Sequence, residues 1–291
     1  MNAGVKVAGF VAGLGVVLGL SWAAGAAVGP VLDEPAPAAH EMSGEASGEM
    51  AEEASHGEPG AHGDADLLPG GLAVAEDGYR LDLADDALPA GSQRLAFTIV
   101  GPDGQPVTAY DVEHEKQLHL IVVRRDFRGF QHVHPVLDPA TGVWTTDVRL
   151  APGAWRVLAD FVPTGGPDLT LGSDLQVPGA VTVPATAPVS RTDTVDGYTV
   201  TVAGDLVAGE HSMLTMTIAR DGRPVTDLQP YLGAAGHLVA LREGDLAYLH
   251  VHPGDGLEFA AEVPSPGRYH LYLDFRHDDV VRTADFVLEA S

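Results

Sequence analysis

Everything after residue 68 is written twice. Asp77-Gly78-Tyr79 returns as Asp196-Gly197-Tyr198, and LAFTI from Leu95 returns as LTMTI from Leu214. DGQPVT from Asp103 returns as DGRPVT from Asp221, HVHP from His132 returns unchanged from His250, and PGAWRVLADF from Pro152 returns as PGRYHLYLDF from Pro266. The offset is 118 or 119 residues for the first four landmarks and 114 for the last. Landmarks that keep one order at nearly one offset mark a duplicated module. Any fold must therefore be built from two like units, 69–187 and 188–291, separated by a polar, Pro-containing stretch near Ala185–Ser190.

Within each unit the pattern is that of strands and tight turns. RLAFTIV, LHLIVVR, VWTTDVRL and AWRVLADF are short, rich in β-branched and aromatic residues, and bounded by Gly, Pro or Asp. Asp-Gly pairs supply positive φ at low cost, and the prolines that follow cannot continue a ladder. No long helical pattern appears after residue 32. The expected fold is all-β: two tandem immunoglobulin-like or cupredoxin-like β-sandwich modules, each of about seven strands.

The N-terminal part differs in kind. Val7–Leu32 is 26 residues without a charge, preceded by Lys6, and about 20 such residues suffice to cross a bilayer as a helix. Residues 1–32 read as an uncleaved membrane anchor that places the rest outside the cytoplasm. A cleaved signal peptide, with its site in the small-residue run Ser21–Ala27, is the alternative. The expected location is thus the cell membrane, single-pass, or secreted. Residues 33–68 hold ten acids and no Lys or Arg, with Gly, Ala, Ser and Pro filling most of the remainder. Such a segment cannot form a core and reads as a disordered acidic linker. The formal net charge of −25 argues against nucleic acid as a partner and makes small cations the natural counter-charge.

The chain has no cysteine, which excludes disulfides, thiolate zinc sites and a blue-copper centre. It has 13 histidines, and several are placed with regularity. His119 lies in a strand, and His132 and His134 flank Val133. In the second copy His237 lies in the matching strand, and His250 and His252 flank Val251. Alternate strand residues point to one face, so each H-x-H pair presents two imidazoles together, and a third converges if the first strand pairs alongside. Three neutral imidazoles with an open position suit copper or zinc. Asp160 and Asp274 stand at matching places in LADF and LYLDF, where a carboxylate in an apolar strand needs a partner; each could ligate the ion or orient a ligating histidine of its own module. His114, His211, His270 and His277 have no counterpart in the other copy and read as ordinary histidines. No nucleophile elbow, phosphate loop or dinucleotide fingerprint is present, so a binding protein is expected rather than an enzyme.

The arrangement LPGGL…DGY, then HL-x-V…H-x-HP and PG-x-W/Y…DF, resembles a group of secreted or membrane-anchored actinobacterial proteins. That resemblance implies a link to copper or heavy-metal handling, and His119, His132, His134, His237, His250 and His252 match its pattern. Residues and resemblance together lead to the expectation of a membrane-tethered extracytoplasmic metal-binding protein. It would hold copper, or alternatively zinc, in one three-His site per module and act in buffering or hand-off. The rival expectation is a protein-binding or adhesion module with structural histidines.

Overall fold

A computed structural model describes residues 69–182, 185–249 and 251–291. The expected membrane segment, the acidic linker and His250 lie outside the described residues. The first module contains β1 (Ala75–Glu76), β2 (Tyr79–Leu83), β3 (Gly91–Val100), β4 (His119–Arg124), β5 (Gln131–Val133), β6 (Val136–Asp138), β7 (Val143–Leu150), β8 (Gly153–Phe161) and β9 (Leu169–Val177). The second contains β10 (Thr192–Val195), β11 (Tyr198–Ala203), β12 (His211–Arg220), β13 (Arg223–Pro224), β14 (Gly236–Arg242), β15 (Tyr248–Leu249), β16 (Val251–Pro253), β17 (Glu258–Glu262), β18 (Gly267–His277) and β19 (Val280–Ala290). No helix is present among the described residues. The Asp-Gly signals act as expected: Asp77 and Gly78 have φ of 49° and 82°, and Asp196 and Gly197 have 49° and 81°. Positive φ at both central residues is the two-residue turn whose twist suits a hairpin.

Each module is a two-sheet sandwich. In the first, β1-β2-β3-β7-β6 faces β5-β4-β8-β9; in the second, β10-β11-β12-β17-β16 faces β15-β14-β18-β19, with β13 paired to β12. Leaving aside the outermost short strands β1 and β10, the order corresponds to immunoglobulin strands A-B-E-D over C′-C-F-G. Each sandwich has its own core, around Phe97, Trp144 and Trp155 in the first and Phe259, Tyr269 and Phe286 in the second.

A third apolar cluster joins the modules. Ile121, Val123 and Leu158 of the first pack with Val239, Leu241, Leu246 and Tyr272 of the second, flanked by Phe127, Phe130 and Tyr248. Its physical origin lies in β4 and β8. Residues 119–123 are all buried, with Leu120 and Val122 facing the module's own core and the alternating Ile121 and Val123 facing the partner sheet. A strand buried on both faces needs a further layer, and here the other module supplies it. Phe130 stacks on Tyr272 with centroids 3.8 Å apart, and the Tyr272 hydroxyl donates to the Phe127 carbonyl at 2.7 Å.

Residues 70–72 form a strap along this junction. The Gly71 N–H donates to the Thr170 carbonyl at 2.6 Å, and the Tyr248 N–H donates to the Gly70 carbonyl at 2.9 Å. The buried Arg156 guanidinium donates to the Gly71 and Leu72 carbonyls at 2.6 and 2.8 Å. Glycine is required here: a Cβ on Gly71, whose φ is +77°, would sit 2.6 Å from Leu158 Cδ2, and one on Gly172 would sit 2.1 Å from the Gly71 oxygen.

Candidate metal centre

The faces that meet between the modules carry the polar signature read from the sequence. The β4–β8 register sets His119 opposite Asp160, and the β14–β18 register sets His237 opposite Asp274. His132 lies on β5, a three-residue strand hydrogen-bonded to β4, and His134 follows just beyond its end. One ligand atom from each of His119, His132 and His134 lies within 4.8 Å of the others. This is the group of three that the described residues bring together.

The rings are linked in one continuous chain. His119 Nε2 is 3.1 Å from the Glu113 carbonyl, and His119 Nδ1 is 3.0 Å from His132 Nε2. His132 Nδ1 is 2.8 Å from Asp274 Oδ2, and the Thr283 hydroxyl donates to Asp274 Oδ1 at 2.5 Å. A carbonyl can only accept, so His119 carries its hydrogen on Nε2 and offers Nδ1 as an acceptor to His132 Nε2–H. His132 then either accepts at Nδ1 from a protonated Asp274 or is an imidazolium facing a carboxylate. The side chains of His132 and Asp274 are only 1% and 4% exposed, and burial disfavours both charges. Burial, then the neighbouring His119, pulls His132 down to about 3. Burial also pushes Asp274 up to about 7, against the opposing pull of Thr283 and His134. Both directions favour the neutral pair.

His134 is also held neutral, pulled down to about 3 by burial and then by His132 and His119. Its Nε2 is buried and has no hydrogen-bond partner. A groove lined by Lys116, Leu118, Pro135 and Trp144 reaches this ring and supplies an access route. His237 stacks against His119 at 5.3 Å and 4° between planes, with its ring 4.8 Å from that of His132. Burial, then His132 and His119, holds it well below the ordinary imidazole range.

Two expectations need correction. The carboxylate serving His132 was expected from its own module, at Asp160, but Asp274 of the other module takes that place. The reason is that β5 borders the junction rather than open solvent, so its histidine reaches the facing sheet. Asp160 instead accepts from Thr170 at 2.8 Å; burial, with Asp168 adding, pushes it up to about 7. His237, expected to begin a separate second triad, packs on the first one. His252 is exposed, and His250 lies outside the described residues. Two further neighbours join the cluster, His114, which reads from sequence as an ordinary histidine, and Tyr231. His114 lies 6.1 Å from His119 and 5.5 Å from His237, ring to ring, and Tyr231 lies 6.5 Å from His134. The turn-forming spacing of His114 just before β4 was the available signal, and the absence of a copy in the second module concealed it. His211 is exposed beside Glu262, His270 stacks on Phe127 at 3.7 Å, and His277 accepts or donates with the Tyr198 hydroxyl at 2.7 Å.

Fold and site together define a two-module immunoglobulin-type protein with a buried histidine cluster at the junction of its modules. The chain belongs to the DUF8832 family, a domain of unknown function, whose profile matches residues 73–177 and again 193–291. No curated protein sequence matches it. Among solved structures it is similar to a Salmonella alpha-2-macroglobulin mutant (13% identity over 80% of this chain and 16% of that one, TM-score 0.25). It is also similar to the tandem Ig repeats of Dlar (8% identity, 73% and 97%, TM-score 0.20). A third likeness is a putative membrane anchored protein from Corynebacterium diphtheriae (12% identity, 74% and 59%, TM-score 0.22).

Proposed function

We propose that this is an extracytoplasmic, membrane-tethered metal-binding protein that holds one divalent ion, copper or alternatively zinc, at His119, His132 and His134. It acts by buffering or hand-off rather than by catalysis. The observation that carries this reading is the spacing and backing of the nitrogens. Two imidazole nitrogens on one ion at about 2.0–2.1 Å, subtending 90–110°, lie about 2.9–3.4 Å apart; His119 Nδ1 and His132 Nε2 are 3.0 Å apart. The far nitrogen of each of these rings already has a hydrogen-bond partner, the Glu113 carbonyl and the Asp274 carboxyl, as is usual for a ligating histidine. His134 offers a buried Nε2 with no hydrogen-bond partner, and one of its ring nitrogens lies within 4.8 Å of the other two ligand atoms.

A second reading has its own support. The mutual bond between His119 and His132, and the turn of His119 Nε2 toward a backbone carbonyl, also suit a purely structural network in a protein-binding module. Elemental analysis after zinc and copper(II) titration of the full chain separates the two. The metal reading expects about one ion per chain, lost in His132→Ala and kept in His252→Ala. Binding lost only in His40→Ala, His56→Ala and His62→Ala would place the ion in the linker, and no bound ion would favour the structural network.

A further inference from the structure

We propose that the ion, when bound, staples the two modules together. This rests on the metal reading above and adds to it that the site is completed across the junction. The ligands all belong to the first module, whereas the group that orients His132 is Asp274 of the second, at 2.8 Å. Thr283 of the second module in turn fixes that carboxyl. His237, also of the second module, backs His119 through a near-parallel ring stack. A metal on His132 Nε2 displaces that nitrogen's proton to solvent and leaves only Nδ1 to carry a hydrogen. The Asp274 proton then passes to Nδ1, and His132 donates to the resulting carboxylate across the junction. The acceptor is then used in its best form, and such charge-assisted bonds are about twice as strong as neutral ones.

The element that responds is β5. It has three residues and pairs with β4, so His132 is held by one ladder and by the other module. An ion tying His132 to His119 and His134 removes that freedom and transfers the constraint to β18 through Asp274. Linkage then requires the reverse: whatever loosens the junction must weaken the ion by the same factor.

The test uses the full chain and zinc(II) alone, with hydrogen exchange read on both modules and affinity by calorimetry. Zinc should slow exchange in β14 and β18 as well as in β4 and β5. Asp274→Asn should weaken zinc by roughly 10–100-fold, although no proposed ligand has been changed. Thr283→Val, a milder change that keeps the carboxyl, should weaken it in the same direction by less. Slowing confined to β4 and β5, with unchanged affinity in both variants, would overturn the staple and leave the triad standing. A wild-type chain that takes up no zinc would remove the metal reading and the staple with it.

Discussion

The two modules share a backbone and differ in what they place on it. The turn before β4 and the turn before β14 are built alike: Glu113 and Lys116 exchange backbone bonds at 2.9 Å, and Tyr231 and Ala234 exchange them at 2.8 and 3.3 Å. The central residues have positive φ in both, His114 and Glu115 at 48° and 66°, Leu232 and Gly233 at 55° and 81°. In the first module this turn brings His114 beside His119 and gives the Glu113 carbonyl to His119 Nε2. In the second it buries Leu232, which is 3% exposed. Duplication therefore preserved the frame, the junction-facing His–Asp pairs and the turns, while the chemistry of the site rests partly on residues that were not duplicated. A residue without a counterpart is where the two copies have diverged, and it is informative for that reason.

The asymmetry can be broken by mutation, starting with the junction itself. Leu158 is fully buried in the cluster shared by the modules, so Leu158→Ala should cost about 2–5 kcal/mol in denaturant unfolding. If the cost is instead under about 1 kcal/mol, the junction does not stabilise the fold. Gly172→Ala should cost about 1–3 kcal/mol, because its Cβ would displace the Gly71 carbonyl. The second module carries Asp285 at the matching place, opposite Tyr272. That residue is exposed, so Asp285→Ala should change stability by no more than about 0.5 kcal/mol. Equal costs at the two places would mean that the strap does not distinguish the modules.

How much of this was legible beforehand depends on the scale. The duplication, the hairpin turns at Asp77 and Asp196, and the main strands follow from local patterns that need no knowledge of how the modules dock. The convergence of His119, His132 and His134 also follows from strand alternation, since His119 and His132 lie on adjacent strands of one sheet and His134 follows directly after the second. The partner of His132 was not legible, because it depends on how two sandwiches dock. One signal was present. His-Leu-Ile-Val-Val from His119 and Trp-Arg-Val-Leu-Ala from Trp155 are nearly continuous apolar runs without alternation, as expected of strands covered on both faces. That pattern called for a third layer and hence for a junction between the modules. Which side chains meet there cannot be read from either strand alone.

Acidity sharpens the comparison further. Asp160 is raised from 3.8 to about 7, so the native state keeps a proton that the unfolded chain releases between those values. Stability contributed by the protonated group is therefore lost as pH rises through that window and changes no further above it. Asp160→Asn should gain stability relative to the parent as pH goes from about 5 to about 8, measured by paired denaturant curves. A constant difference would sink this assignment. The histidines act in the opposite sense. His132 and His134 are lowered to about 3, so their contribution is present above the ordinary imidazole range and is lost as pH falls below about 6.5. A modest cost of about 0.5–1.5 kcal/mol in the same assay is expected for Tyr272→Phe, which removes the hydroxyl bond to the Phe127 carbonyl.

The most direct test of the central claim is X-ray absorption at the zinc edge on the full chain loaded with one equivalent of zinc(II). The account predicts a shell at about 2.0–2.1 Å with outer scattering from three imidazoles, and loss of that pattern in His132→Ala. A shell of oxygens without imidazole scattering, or an imidazole pattern that survives His132→Ala unchanged, would contradict it.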